Sequence, residues 1–550
     1  MGFMSLMITL FLVLLVSVPA ILLAKEINFH KKLVANIIVT GNETIGETDD
    51  NYICATIDWF PSDTCRYNYC MLQNSSAITL DLSNPLLAKT IQAFKNLRLR
   101  IGGSPQDQVI YNVGSPRYPC RPFQQAKNGL FGLKGGCLYM RRWDELNHFF
   151  NKTGAIVTFG LNALYGRKKQ DNSTLWVGDW DPSNTRALMN YTILKGYHID
   201  SWEFGNELSG NGIGARVEAA QYAKDVINLK KIMKELYKTT NYNSRLVAPG
   251  GFYSQDWYTK LLQDSGPGIV DVVTHHIYNL GGGNDPNLIR KILDPAYLTN
   301  SILGTFKDIE GVIQEYAPWA YVWVGESGGA FQGGGRYVSD RFVNSFWYLD
   351  QLGMAAKYST KVYCRQTLVG ANYALLNRTT MEPNPDYYSA LLWHRLMGKG
   401  VFDVHRRHAS PYLRPYAHCS KGRAGITLLL INLSNRTEFI VHVHNQTGFK
   451  LKEREKRRES HFMRGRRTEV ASDGRSFREE YHLSAQHGNL RSQTSLLNGH
   501  PLHVTNGELP KLDPLLRHEN SPIRVAPLSI AFIVLPNFKA SACANPAPSC

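Results

Sequence analysis

Residues 201–208 read Ser-Trp-Glu-Phe-Gly-Asn-Glu-Leu, and residues 321–328 read Tyr-Val-Trp-Val-Gly-Glu-Ser-Gly. Each stretch is a short strand-like run that is followed by a glutamate, Glu207 in the first and Glu326 in the second. Val324 and Glu326 share strand parity, so their side chains would point to the same side. An acid at the end of an apolar strand is costly to bury unless it is paired, which favours a functional role. The two stretches predict a polar site at one edge of a parallel sheet.

Short β-rich runs alternate with loops and longer helical stretches from about residue 53 onward, as in a parallel α/β fold. Eight strands are predicted, which is the number that a (β/α)8 TIM barrel needs. A doubly wound open sheet would show similar alternation, and the placement of the polar residues favours the barrel. The predicted strands are Cys54–Trp59, Leu97–Gly102, Ile156–Leu161, Ser201–Gly205, Arg245–Ala248, Val270–His275, Tyr321–Gly325 and Val362–Val369.

Helical signals lie between these strands. Pro85–Lys95 is predicted to form a helix with Asn84 as its N-cap, because asparagine caps helices well and proline suits the first turn. Val217–Tyr237 and Val338–Lys357 are predicted to form two longer helices that cover the barrel wall.

The sequence changes character after about residue 385, where β-rich runs follow one another without long helices. This pattern predicts an accompanying β-sandwich domain, to which the β-like residues near the N-terminus would add a strand. The predicted sandwich runs are Ile426–Asn432, Phe439–His444 and Pro522–Leu535. The predicted organisation is a signal peptide at 1–24, an N-terminal sandwich strand with the first barrel strand at 25–55, the barrel at 56–385 and the sandwich at 386–550.

One stretch inside the predicted sandwich, Lys450–Arg467, carries nine Lys and Arg residues interleaved with three glutamates. It is interpreted either as a solvated excursion or as a polyanion-binding patch, and the mixed charge signs favour the first. The whole chain has 61 Lys and Arg against 45 Asp and Glu, a net charge of +16. Such a charge favours anionic partners such as acidic polysaccharides.

The N-terminal segment decides the expected compartment. Leu6–Val18 is apolar, and Ala20 and Ala24 follow as cleavage positions, which predicts a secretory signal peptide; an uncleaved membrane anchor is the alternative. The protein is therefore expected in the secretory pathway, and then outside the cell, in the cell wall, or in a lysosome or vacuole. Nine Asn-X-Ser/Thr sequons predict glycosylation at Asn42, Asn74, Asn151, Asn172, Asn190, Asn377, Asn432, Asn435 and Asn445.

Nine cysteines in an oxidising compartment predict disulfides and leave at least one thiol over. Cys54, Cys65 and Cys70 are close enough in sequence to close a local loop, and Cys120 and Cys137 another. The spacing of Cys and His does not match a zinc site, so we expect no metal and no cofactor.

The two glutamates suit the cleavage of a glycosidic bond with retention of configuration. This reaction needs one carboxylic acid beside the leaving oxygen and a second carboxylate on the other side of the anomeric carbon, about 5–5.5 Å away. Glu207 is predicted to be the general acid/base and Glu326 the nucleophile. Glu203 has the strand parity of Glu207 but would lie deeper in the barrel, where we expect a structural role.

These motifs together resemble glycoside hydrolase family 79, the heparanase-like proteins, and within it the plant branch. The resemblance covers nearly the whole chain after the signal peptide. It implies a (β/α)8 barrel with a β-sandwich, an acid/base after the fourth strand, a nucleophile on the seventh, and recognition of glucuronic acid. The motifs that carry it are Ala55-Thr-Ile-Asp58, Leu99-Arg-Ile-Gly-Gly-Ser104, Trp202-Glu-Phe-Gly-Asn-Glu207, Thr274-His-His-Ile-Tyr278, Val324-Gly-Glu-Ser327 and Gly370-Ala-Asn-Tyr373.

The resemblance also implies which residues contact the sugar. Where the family usually has glycines, this chain has Ala371 and Ala374, and a positive φ would strain either alanine. Tyr373 and the backbone before it are expected to hold the sugar carboxylate, and Tyr278 to contact the nucleophile. The implied substrate-binding residues are Asp58, Ser104, Asn206, His276, Tyr278 and Tyr373.

The predicted function is therefore that of a retaining β-glucuronidase acting on arabinogalactan-type glycans or small glucuronides. Two alternatives stay open: a retaining β-glycosidase for a neutral sugar, and a matrix or cell-wall lectin that binds through the basic stretch. The chain is expected to be an unprocessed monomer that associates with the cell wall or peripherally with membranes and binds no nucleic acid.

Overall fold

The computed structural model describes residues 31–61, 72–407, 409–446 and 476–543. The predicted signal peptide and the basic stretch 450–467 lie outside the described residues. Within the described part of the chain, the helices are too short or too polar to cross a membrane.

Eight parallel strands close into a barrel in which each strand pairs with its neighbours in the sequence and the eighth pairs with the first. The predicted (β/α)8 barrel is confirmed, and each predicted strand overlaps an observed one. The barrel strands are β1 (Ile53–Ile57), β2 (Arg98–Ile101), β3 (Ile156–Leu161), β4 (Ser201–Phe204), β5 (Arg245–Phe252), β6 (Val272–His276), β7 (Tyr321–Ser327) and β8 (Thr360–Arg365).

Helices surround the barrel. The predicted cap of the first helix is confirmed, because the Asn84 side chain accepts bonds from the backbone N–H groups of Leu86 and Leu87 at 2.9 and 3.1 Å. The helices of the described residues are Pro85–Gln92, Met140–Thr153, Ser183–Leu194, Ala219–Leu236, Gln255–Ser265, Leu288–Ile292, Pro295–Tyr316, Phe342–Lys357 and Pro385–Leu396.

Two antiparallel or mixed sheets pack face to face beside the barrel and share a second apolar core. Lys31–Val39 lies in the smaller sheet between Val404–Arg407 and Thr437–Asn445, and Ile523–Val525 completes that sheet. The predicted run Pro522–Leu535 is thus two strands in different sheets. The larger sheet contains Gly46–Glu47, Met397–Phe402, Leu413–Ser420, Ile426–Asn432, Ser529–Leu535, Phe477–Ala485, Ser495–Leu497, His500–Pro501 and Leu515–His518.

The helix Phe342–Lys357 is buried along nearly its whole length because it packs both on the barrel and on the larger sheet. Arg414 of that sheet donates to Asp350 of the helix at 2.9 Å, an ion pair buried at the junction. Pro385–Leu396 packs against this helix and leads directly into the larger-sheet strand Met397–Phe402. The sandwich therefore begins near residue 397 rather than at 386.

Three disulfides join described residues. Cys120 pairs with Cys137 as predicted. Cys54 does not close a local loop, because it pairs with Cys364, which is its direct neighbour across β1 and β8. Cys419 pairs with Cys543 in the sandwich region. Cys65 and Cys70 lie outside the described residues.

Candidate active site

Glu207 lies just beyond the carboxyl end of β4, in a turn that reverses the chain. Gly205 and Glu207 both have positive φ, of 72° and 54°, and the backbone N–H of Glu207 donates to the carbonyl of Gly250 at 2.7 Å. A non-glycine residue in the left-handed region is costly and is typical of functional sites. The turn aims the Glu207 side chain into the mouth of the barrel, where 9% of the side chain is exposed.

Glu326 lies near the carboxyl end of β7 and is held from two sides. The Tyr278 hydroxyl donates to one carboxylate oxygen at 2.6 Å, and Arg100 Nη1 donates to the other at 3.0 Å. The predicted contact between Tyr278 and this glutamate is therefore present. Both bonds fix the orientation of the carboxylate, as a nucleophile at this position needs.

A carboxylate oxygen of Glu207 and one of Glu326 lie within 4.8 Å of each other. Retaining glycosidases place their two carboxyl groups about 5–5.5 Å apart, whereas inverting enzymes leave about 6.5–9.5 Å for a water molecule. The observed spacing fits direct attack by one carboxylate on the anomeric carbon while the other protonates the leaving oxygen.

Arg100, on β2, links the acidic residues of the site, a role that was not predicted from the sequence. Its Nε donates to Glu203 at 2.6 Å, and its Nη2 donates to the Asn206 side chain at 2.9 Å, in addition to the bond with Glu326. Burial alone would lower the pKa of Arg100, but the carboxylates of Glu203 and Glu326 outweigh it and raise that pKa. The sequence did contain a signal for this role, because Arg100 occupies a strand position whose side chain points into the barrel, where an arginine is rarely buried without a partner.

Glu203 is fully buried beneath the site and pairs with Arg100. Burial raises its pKa, and the adjacent arginine opposes that rise. Glu203 is absent from the cavity wall, as expected for a structural residue.

Glu207 and His276 form a buried acid–imidazole pair, with Glu207 Oε1 3.0 Å from His276 Nδ1. Burial raises the pKa of Glu207 to about 7, although Arg100 acts in the opposite direction. Burial lowers the pKa of His276 to about 3, so this imidazole is neutral at physiological pH. A neutral imidazole leaves Glu207 free to carry the proton that a general acid must donate.

Asp58 follows β1 and lines the same cavity as Glu326. The backbone N–H of Trp59 donates to it at 2.6 Å, and Gln366 Nε2 lies 3.4 Å from its other oxygen. Burial, with the nearby charge of Glu326, raises the pKa of Asp58 to about 7. A methyl group at Gly103 would come within 2.6 Å of Asp58, so only glycine leaves room for this carboxyl group.

The loop after β8 carries Tyr373 into the cavity. Its hydroxyl lies 3.5 Å from Gln366 Nε2, and its backbone carbonyl accepts two bonds from Arg365, at 3.0 and 2.9 Å. Ala371 has a φ of 58°, the left-handed conformation that glycine would tolerate better, whereas Ala374 has no positive φ. Gln366 was not predicted as a site residue, because its contact with Tyr373 depends on how the loop between them folds back.

The predicted site residues gather around one cavity of about 490 Å³ at the carboxyl ends of the barrel strands. Asn206 and His276 lie behind the cavity wall rather than on it, and act through Arg100 and Glu207. The Asn206 Nδ2 group is buried and has no partner among the described residues. The predicted residues that line the cavity are Asp58, Ser104, Glu207, Tyr278, Glu326 and Tyr373.

Glu207, His276 and Glu326 also bring three potential metal-ligand atoms within 4.8 Å of one another. Arg100 and Tyr278 already bond to the two oxygens of Glu326, and Arg100 supplies the positive charge that a cation would bring. These contacts favour acid–base chemistry over metal binding at this position.

The model of "Glycosyl hydrolase family 79, N-terminal domain" matches residues 34–353. The chain belongs to glycosyl hydrolase family 79. It is 57% identical to "Heparanase-like protein 1" of Arabidopsis thaliana over 550 residues, which covers 99% of this chain and 100% of the relative. It is 36% identical to "Baicalin-beta-D-glucuronidase" of Scutellaria baicalensis over 526 residues, 93% of this chain and 94% of the relative.

A solved structure supports the architecture. The crystal structure of a 4-O-alpha-L-rhamnosyl-beta-D-glucuronidase from Fusarium oxysporum 12S aligns with a TM-score of 0.62 at 14% identity and covers 91% of this chain and 100% of that one. At this identity the likeness shows that the two share a fold, a barrel with accompanying sheets.

Proposed function

We propose that this protein is a retaining β-glucuronidase that removes β-linked glucuronic acid from a glycan or glycoside. The observation that carries the proposal is the Glu207–Glu326 pair, with oxygens within 4.8 Å at the ends of β4 and β7. Membership of family 79 and the glucuronidase named among its relatives support the choice of sugar.

In the first step Glu207 protonates the glycosidic oxygen while Glu326 attacks the anomeric carbon, so that the aglycone leaves and a glycosyl ester forms. Glu207, now ionised, then takes a proton from water, which attacks the anomeric carbon and releases Glu326 as a carboxylate. Arg100 and Tyr278 stabilise the carboxylate of Glu326 before attack and after release. With a pKa of about 7, Glu207 holds its proton in mildly acidic solution.

The sugar is proposed to lie between Asp58, Gln366 and Tyr373, where hydroxyl and amide groups face the cavity. Asp58 and Gln366 suit the ring hydroxyls, and the Tyr373 phenol with nearby backbone N–H groups suits the sugar carboxylate. Ser104 adds a small hydroxyl group on the same wall.

We further propose passage through the secretory pathway, with glycans on sequons that the fold leaves at the surface. Asn432 is excluded in the folded protein, because it is fully buried and its amide donates to three backbone carbonyls, of Thr437, Val525 and Ala526. Asn377 and Asn445 are partly exposed. The exposed sequon residues are Asn42, Asn74, Asn151, Asn172, Asn190 and Asn435.

The test uses 4-nitrophenyl β-glucuronide with the purified full chain, and NMR to identify the first-formed anomer. The expected result is β-glucuronic acid, and replacing either glutamate is expected to lower kcat by about 100-fold or more. With azide, Glu207→Ala should give β-glucuronosyl azide, because azide attacks the ester to Glu326. Glu326→Ala should give the α-azide, because azide then takes the place of the nucleophile.

The surface substitution Glu315→Gln serves as a matched control that should keep full activity. Ordinary turnover by Glu326→Gln, or azide products of the opposite configuration, would overturn the assignment of the two glutamates. Cleavage of 4-nitrophenyl β-glucoside without cleavage of the glucuronide would select the neutral-sugar alternative. Binding of glucuronides without hydrolysis would select a lectin.

A further inference from the structure

We propose that the leaving-group side of the cavity is an aromatic-walled subsite that takes a planar, uncharged aryl aglycone. The inference rests on the proposed function, because the general acid defines which side of the cavity receives the leaving group. It adds the chemical class of the aglycone, the group that leaves with the glycosidic oxygen.

Three apolar side chains, Phe131, Ile213 and Phe252, form what we call the apolar collar. The backbone N–H of Ile213 donates to the carbonyl of Glu207 at 3.0 Å, so this residue is fixed next to the acid. The Phe252 ring lies 6.3 Å from the ring of His276, which in turn bonds to Glu207. All three collar residues line the cavity.

The collar is built from two loops, which contact each other, and from the end of a barrel strand. Phe131 lies in the loop between Gln124–Leu130 and Leu133–Lys134, and it packs on the loop after β4. A methyl group on Gly214 would come within 3.2 Å of the Phe131 ring, which shows how closely the two loops meet. Ile213 precedes that glycine, and Phe252 ends β5, so the three side chains surround the acid from different directions.

Two of the three collar side chains are exposed to water. Ile213 is 44% exposed and Phe252 is 36% exposed, although both are large apolar residues. Grouped exposed apolar side chains at a cavity rim are typical of ligand-binding surfaces, because covering them removes apolar area from water. Aromatic rings would gain further from contact with the face or edge of a planar aglycone.

The charges of the cavity argue against a sulfated or otherwise strongly anionic leaving group. Among the described residues, the cavity wall contains three carboxyl groups, Asp58, Glu207 and Glu326, and no lysine or arginine. A sulfated polysaccharide would need cationic side chains at this wall to offset its charge. An uncharged aromatic group meets no such cost.

The experiment compares two ligands that differ only in the leaving group, methyl and phenyl 1-thio-β-D-glucuronide, whose sulfur linkage resists hydrolysis. Their dissociation constants with the full-length protein are measured by calorimetry, which removes the effect of leaving-group basicity on rate. The phenyl compound is expected to bind about tenfold more tightly than the methyl compound, as burial and ring contact predict.

Phe252→Ala and Ile213→Ala should each weaken phenyl binding about threefold or more while methyl binding stays within about twofold. Phe252→Tyr should restore the preference. Leu516→Ala, at a 63% exposed apolar residue of the sandwich, is the matched control and should change neither affinity. Retained methyl binding shows that each variant is folded.

Equal affinity for the two compounds in the wild-type protein would overturn the aryl subsite and leave the glucuronidase proposal standing. A preference that survives both collar substitutions would likewise overturn the assignment to the collar. Failure of both compounds to bind, together with no cleavage of 4-nitrophenyl β-glucuronide, would instead overturn the proposed function.

Discussion

Glu207 is a carboxyl group in a position where ionisation is costly. Burial raises its pKa from 4.5 to about 7, despite the nearby Arg100. The position has the conformational cost of a positive φ as well. A residue that served stability alone would not combine these two costs, and both are explained if the protein needs a protonated acid facing the glycosidic oxygen.

The raised pKa predicts a pH-dependent effect of Glu207→Gln on stability. Between pH 4.5 and 7 the folded chain keeps a proton on Glu207 that the unfolded chain has lost, so wild-type stability falls as pH rises through this window. The substitution removes that loss. Glu207→Gln is expected to be more stable than wild type at pH 8, by on the order of 3 kcal/mol, and nearly equal to it at pH 4.

Urea unfolding at the two pH values measures this difference, since Asp58 and other titrating groups are common to both proteins and cancel. The exposed Glu43→Gln provides the matched control and should show no such contrast. If Glu207→Gln is no more stable than wild type at pH 8, burial of Glu207 does not raise its pKa in the way described.

Strand ends were the most predictable elements of the site. The two glutamates and Asp58 each follow a short apolar run, so local sequence was enough to place them at one edge of the sheet. Arg100 and Gln366 were missed because their roles are set by partners far away in the chain. Arg100 contacts Glu326 across 226 positions, and Gln366 contacts Asp58 across 308. Sequence periodicity carries no information on such contacts.

The loop after β8 is the element in which the chain departs from the family pattern, because it has alanines where the family usually has glycines. The φ angles of the two alanines differ, so the two positions have different conformational costs. Ala371 occupies a left-handed conformation and Ala374 does not. Ala371→Gly is therefore expected to stabilise the protein by about 0.5–1 kcal/mol, because glycine adopts a positive φ without steric cost. The nearby Ala374→Gly should instead destabilise it by a similar amount, because glycine there only adds freedom to the unfolded chain.

Chemical denaturation of the two variants tests the opposite signs, and the dissociation constant of methyl 1-thio-β-D-glucuronide reports whether Tyr373 keeps its place. Destabilisation by both substitutions would show that Ala371 is not strained in the folded protein.

At the scale of the whole molecule, the barrel and the sheets form one continuous body. The helix Phe342–Lys357 packs on both, and the Asp350–Arg414 pair is buried where they meet. The sequence predicted both parts but placed their boundary too early, because residues 385–396 form a helix that packs on the barrel side and the next strand begins at Met397. The N-terminal strand Lys31–Val39 also pairs with strands more than 360 positions later, so the first described strand lies in the same sheet as strands of the C-terminal part.

The Cys54–Cys364 disulfide adds a covalent link to the closed barrel, because it joins the first barrel strand, β1, to the last, β8. It spans 310 positions, whereas Cys120–Cys137 spans 17. The loss of conformational entropy in the unfolded chain grows with the length of the closed loop, so the long link should stabilise more.

Replacing Cys54 and Cys364 with alanine is expected to lower the free energy of unfolding by about 5 kcal/mol, against about 3 kcal/mol for the Cys120 and Cys137 pair. Urea titration of the two double variants and wild type, all purified under oxidising conditions, measures the difference. A loss from the long link that is equal to or smaller than that from the short one would mean that the barrel seam is held by strand pairing and packing, with little contribution from the covalent bond.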